Sequence, residues 1–227
     1  MIKAIKLNKR LIIISILIIC YIIFASFDFS KKTSADSYKT PVILIDAGHG
    51  HPDGGAVSDF SSVVESDLNF DYAKTLKEFF LSMNYRVELT RPTKNAVANT
   101  KTDDMEKRKE IIEKSNCDIF ISIHMNKFSL SSSLGAQVFY KQEDENSKLL
   151  AENIKDLLVK NIDYSRKLAL SGDFMVLNTA KCPAILIECG FLSNKLDENR
   201  LRTKDYREKL CYQIFCGTIK FLNSKIN

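Results

Sequence analysis

Histidine is scarce in this chain, with three residues in 227, and two of those three share one short loop. Six cysteines are present but none forms a C-x-x-C pair, so the sequence writes neither a zinc ribbon nor, with five cysteines left after residue 27, a fully paired disulfide framework. Most of the five read as small buried apolar side chains, with one bridge permissible outside a membrane. No internal repeat or low-complexity tract occurs. Excess positive charge is also missing where it would matter: residues 1–32 hold six basic and one acidic residue, and the remainder balances 27 against 27. That balance excludes a nucleic-acid binder, which needs surplus cations to neutralise phosphates. The glycine loop "GHGHPDGG" lacks both the G-x-G-x-x-G order and the Lys-Ser/Thr ending of phosphate loops, which sets nucleotide binding aside.

The chain does hold a charge-free apolar run, "LIIISILIICYIIFASF" at 11–27, preceded by Lys3, Lys6, Lys9 and Arg10. It is longer than the usual core of a cleaved signal peptide and reaches the lower limit of a membrane span. The small residues "TSA" at 33–35 lie beyond two lysines, a poor exit site, so an uncleaved anchor is expected over a secreted form. The preceding positive charge predicts that everything after the span is extracytoplasmic. The expected organisation is an anchor at 1–27, a polar tether at 28–40 and one domain at 41–224.

Within that domain short β-rich runs alternate with helical stripes. The runs are "VILID" (42–46), "YRVELT" (85–90), "DIFISIH" (118–124), "AQVFY" (136–140), "FMVL" (174–177) and "AILIE" (184–188). The stripes pass through Leu68, Tyr72, Leu76, Phe79, Phe80 and Met83, through Ile111 and Ile112, through Leu150, Ile154, Leu157 and Leu158, and through Tyr206, Leu210, Ile214, Thr218 and Phe221. Alternation of this kind predicts an α/β fold: a mostly parallel twisted sheet of about six strands with helices on both faces. "VILID" and "AILIE" are apolar throughout, as strands covered on both sides must be.

Ligands of such sheets bind beyond the carboxyl ends of the strands. Those ends deliver His49 just after "VILID", His124 closing "DIFISIH" and Glu188 closing "AILIE". Glu65 continues the stripe of Leu68 and Tyr72 back by one turn, so a carboxylate stands where the pattern wants a core side chain. Two imidazoles and one carboxylate suit Zn²⁺ with an open fourth position, the hydrolytic arrangement. Glu188, not a ligand, is then placed to take and pass on a proton. Each residue also has a plainer use. A lone strand-end histidine is more often a hydrogen-bonded structural group; Ser62 and Glu65 have capping-box spacing; and His49, His51 and His124 form an alternative ligand set that leaves Glu65 to the helix cap.

"IDAGHG", then Glu65 in "VVESDLNF", then "SIHMN" and "PAILIECGFLSN", resemble in order the zinc-dependent N-acetylmuramoyl-L-alanine amidases of bacterial cell walls, over about residues 42–222. The resemblance implies zinc on His49, Glu65 and His124, with Glu188 as catalytic carboxylate. It also implies hydrolysis of the amide joining N-acetylmuramic acid to the L-alanine of the peptidoglycan stem. Asn126 resembles the H-x-N of the family and is a candidate substrate contact, as is Arg91 at another strand end. Ala47 stands where proline is usual and His51 where glycine is common. With no occluding helical insertion and no wall-binding repeat, the chain is most similar to the spore-cortex, CwlD-type members, which prepare muramic acid for muramic-δ-lactam formation. Targeting is then expected from the anchor or from an exported activator protein. A module with the same site that binds wall peptides or a partner without cleaving them is the competing function.

Overall fold

The computed structural model describes residues 40–225, together with Ile14, Ile18 and Ile19. Apart from those three and Thr40, the expected anchor (1–27) and tether (28–40) lie outside the described residues, among which no helix is long and apolar enough to cross a membrane.

Six strands form one sheet: β1 (Val42–Ala47), β2 (Arg86–Leu89), β3 (Ile119–Asn126), β4 (Gln137–Lys141), β5 (Leu170–Gly172) and β6 (Ala184–Phe191). Their spatial order is β2-β1-β3-β6-β4-β5. All neighbours run parallel except β4 and β6, which are antiparallel, so the sheet is mixed but mostly parallel. The central strands β1, β3 and β6 are the continuously apolar ones, and both of their faces are covered.

One face carries α1 (Glu65–Ser82), α3 (Glu145–Asn161) and α6 (Lys204–Asn223). Their stripes, Leu68, Tyr72, Leu76 and Phe80, then Leu150, Ile154 and Leu158, then Leu210, Ile214 and Phe221, pack on Ile43, Ile45, Ile121, Ile123, Ile185 and Ile187. Because side chains alternate along a strand, Leu44, Phe120 and Leu186 point the other way. There they meet Ile112 of α2 (Lys101–Lys114) and Val176 and Leu177 of α4 (Met175–Thr179). The second face is thinner than the first, and that difference leaves a cleft.

Most helices start on a side-chain cap: Thr100 for α2, Asp144 for α3, Thr203 for α6, and Asn194 for α5 (Lys195–Leu201). Helix α1 does not; its N-cap is Val64, and Ser62 plays no part in capping. The capping-box reading of Glu65 is therefore replaced by a different use of that carboxylate.

Residues 174–177 correct one strand expectation. "FMVL" begins α4 rather than a strand, and the edge strand beside β4 is the short "LSG" of β5, in which the single apolar residue Leu170 makes no alternating pattern.

Candidate metal centre

Strand β1 ends at Ala47, and the chain turns through Gly48, His49 and Gly50. His49 adopts φ 58°, a left-handed conformation uncommon for a residue with a side chain. Two buried arginines hold it there. Arg91 donates to the carbonyls of Ala47 (2.8 Å), Gly48 (3.2 Å), Ser66 (2.7 Å) and Thr93 (2.8 Å). Arg108 donates to the carbonyls of Ala47 (2.8 Å) and His49, and its charge is balanced by Asp46 (2.6 Å) and Asp104 (2.9 Å). Three consecutive carbonyls of the turn are thus fixed by guanidinium groups, rigid forks well suited to the task.

This is a correction for Arg91. It is fully buried and spends its donors on backbone carbonyls, so it holds the turn and is not exposed to meet a peptide carboxylate. Asn126, at the end of β3, has a half-buried side chain, and its carbonyl accepts from Leu192 N–H (2.8 Å).

The donor groups converge from three elements. Glu65 opens α1, where the positive helix end favours a carboxylate, and is 4% exposed. Its Oε1 lies 2.9 Å from His124 Nδ1 and 3.4 Å from His49 Nε2. One donor atom each from His49, Glu65 and His124 fall within 4.8 Å of one another. Oε2 of Glu65 accepts from Ala56 N–H (2.8 Å), and Asn69, one turn along α1, donates to Oε1 (3.2 Å) and to the Gly48 carbonyl (3.0 Å). The Asp53 carboxylate sits 2.9 Å from His49 Nδ1 and accepts a hydrogen bond from its N–H, leaving Nε2 with a lone pair aimed at the cluster.

His51 is not in this group. Its side chain is 46% exposed and pairs with Asp67 (3.2 Å) on the outer side of α1. Geometrically the alternative set with His51 is not assembled.

Two glycines leave room for the cluster. A Cβ on Gly48 would lie 2.2 Å from the His124 ring, and one on Gly55 (φ 68°) would lie 2.6 Å from Glu65 Oε2 and 2.8 Å from the His49 ring. Neither position accepts a larger residue without moving a donor.

Glu188 follows from register. His124 and Glu188 are direct partners across β3 and β6, so both project from the same face at the same height. Burial, opposed by the charge of His124 and reinforced by that of Glu65, pushes the Glu188 carboxyl up to about 7. Its Oε2 is buried with no hydrogen-bond partner. Burial acts in the same direction on Glu65, but the hydrogen bond from His124 and the charges of His124 and His49 bring that carboxyl down to about 2. Two carboxylates that both feel the charge of His124 are therefore pushed in opposite directions, a pattern of functional sites.

His49, His124 and Glu188 line a cleft of about 200 Å³ on the thin face. Its floor is Asp46, Gly48, His49, His124 and Glu188; α2 contributes Lys101, Met105 and Arg108, and Phe174, Met175 and Val176 form an apolar wall. No periodicity or motif singles out Arg108, Asp104 or Asp53. Asn69 had a signal, a polar residue beside Leu68 on the buried stripe of α1.

A fold of this topology with a donor cluster at the carboxyl ends of β1 and β3 fits a hydrolase class, and comparison with known proteins identifies which. A family model for N-acetylmuramoyl-L-alanine amidase matches residues 43–220, and the chain belongs to this family of peptidoglycan hydrolases. More particularly, it is similar to the CwlD-type amidases. The germination-specific N-acetylmuramoyl-L-alanine amidase of Bacillus subtilis is 29% identical over 213 residues, covering 88% of this chain and 89% of that protein. The CwlD amidase from Clostridioides difficile, solved in complex with the GerS lipoprotein, superposes with a TM-score of 0.76 at 33% identity, covering 81% of this chain and 99% of that one. An N-acetylmuramoyl-L-alanine amidase from Clostridium difficile 630 gives a TM-score of 0.75 at 28% identity, covering 82% and 98%.

Proposed function

We propose that the chain is a zinc amidase of the spore cortex, cleaving N-acetylmuramic acid from L-alanine so that the exposed muramic acid can be converted to muramic-δ-lactam. The observation that carries the reading is the pairing of His124 with Glu188 across β3 and β6, beside the three-donor cluster.

The donor chemistry fits zinc: two imidazoles and one ionised carboxylate, with the remaining side open to the cleft. Bound there, zinc would supply a Lewis acid for the amide carbonyl and lower the pKa of water. The other roles belong to side chains. Glu188, close to neutral pH in its proton affinity and free of hydrogen bonds at Oε2, takes the proton of the attacking water and hands it to the departing alanine nitrogen. Asp53 keeps His49 in the tautomer that presents Nε2. The apolar wall of Phe174, Met175 and Val176 excludes water from the far side of the cleft. Asn126, two residues beyond His124 at the end of β3, orients the substrate.

The domain acts outside the cytoplasmic membrane, carried there by the apolar segment at 11–27, and the anchor or an exported partner supplies targeting. Support for the partner is the C. difficile CwlD structure, which contains the GerS lipoprotein; support for the cortex is the germination-specific relative. Mass spectrometry of purified muropeptides after incubation with the zinc-loaded full chain tests the reaction. Release of intact stem peptides beginning at L-alanine is the expected result; unchanged muropeptides, with and without exported proteins added, would leave only a binding module.

A further inference from the structure

Away from the cleft, at the opposite ends of β3 and β6, two thiols meet. Cys117, between α2 and β3, and Cys182, between α4 and β6, are 65 positions apart in sequence with their sulfurs 2.9 Å from one another. A bonded pair stands at about 2.05 Å, so closing the gap needs a movement of roughly 1 Å. We infer that Cys117 and Cys182 are a cross-linking site, oxidised to a disulfide by thiol exchange with an exported disulfide carrier, and that the bridge clamps the amino ends of the two strands bearing His124 and Glu188.

Several features single out this pair. Cys117 is half-buried and the more accessible of the two, whereas Cys182 is buried at 8% exposure. The order of attack is therefore set. Both pack in the thin-face core beside Ile112, Leu177 and Ala180, so the bridge replaces a contact already made. The hydrogen bond with Cys182, ahead of the opposing effect of burial, and the Ser115 hydroxyl bring the Cys117 thiol down to about 7. The same contact, with burial, raises Cys182. By its greater exposure Cys117 is the entering nucleophile and Cys182 the resolving thiol. Among the described residues, Cys189 and Cys211 are fully buried, and Cys216 is half-buried on α6.

In the exchange, the Cys117 thiolate attacks one sulfur of the carrier disulfide and releases the other as a thiol. The Cys182 thiol then loses its proton to solvent and displaces the second carrier sulfur. Two protein thiols become one S–S bond, and one carrier S–S bond becomes two thiols. Occurrence in the cell rests on the extracytoplasmic reading above, because the cytosol would keep the pair reduced; the chemistry of the pair does not.

The test uses the reduced full chain, equilibrated with oxidised glutathione, acid-quenched, alkylated and mapped by mass spectrometry. Expected are two fewer alkylatable thiols, a mass lower by about 2 Da, a Cys117–Cys182 linked peptide, and a Tm raised by roughly 10 °C. C117S and C182S should each abolish the linked peptide and the gain, and C216S should retain both. Cys117 and Cys182 remaining alkylatable throughout, or Cys117 stopping as a glutathione adduct, would overturn the inference. Should either serine variant fail to fold, the wild-type peptide map alone decides. None of these readouts requires amide cleavage, so the outcome is independent of the amidase reading.

Discussion

At the scale of single residues the site separates into groups that hold and a group that reacts. Glu188→Gln preserves shape and removes the proton acceptor; we expect zinc content to stay at wild-type level while turnover falls about 100- to 10,000-fold. His124→Ala removes a donor, and both zinc and turnover should go. Metal analysis beside a muropeptide assay distinguishes the two, and a Glu188→Gln protein that still cleaves would remove Glu188 from its role. Gly48→Ala makes a subtler prediction. The added methyl would sit 2.2 Å from the His124 ring, so the fold should survive by circular dichroism while zinc affinity drops. The histidines, Glu65 and Glu188 were legible because each breaks an apolar pattern at a strand end or a helix start. Arg91 was visible only as a charge at a strand end, and that signal does not say whether a guanidinium faces solvent or the backbone.

Among the elements, β1, α2 and the turn after β1 are joined by the Asp46–Arg108–Asp104 contacts. Arg108→Met would strand two buried carboxylates without their counter-charge and should cost about 3–5 kcal/mol in denaturant unfolding. Burial raises the Asp46 carboxyl, yet Arg108, Thr90 and Ser122 hold it from 3.8 down to about 2. A carboxyl lowered on folding stabilises the protein above its unfolded value, and that stability fades as pH falls through the folded one. Asp46 should thus contribute about 2 kcal/mol near neutral pH, and the stability gap between wild type and Asp46→Asn should close between about pH 4 and pH 2. A gap that stays constant through that range would contradict the buried pair. Sequence periodicity made β1, β3, β6 and the long helices legible because each buries a continuous stripe. It failed at 174–177, since four apolar residues satisfy a strand or one helical turn equally well, and only the cleft wall they form chooses between them. The reversal of β4 was equally hidden, being a property of the connections rather than of the strand.

For the molecule as a whole, the large core lies on the face of α1, α3 and α6, and the cleft lined by His49, His124 and Glu188 lies on the thin one. An ion that binds only the folded state must add to stability. At free zinc about 100 times its Kd, the gain is about 2.7 kcal/mol, or a rise in Tm of roughly 5–10 °C that a chelator should reverse; a Tm indifferent to zinc would argue against the His49, Glu65 and His124 cluster as its seat. The partnership of His124 with Glu188 has a wider consequence. Adjacent strands stand about 4.8 Å apart whatever the loops around them do, so the spacing between these two groups is a property of the backbone, indifferent to insertions that reshape the cleft mouth. Loops here can drift in length and composition and retune what enters, but a slip of β6 by one residue would swing its carboxylate into the isoleucine layer beneath α1, and no loop change could bring it back.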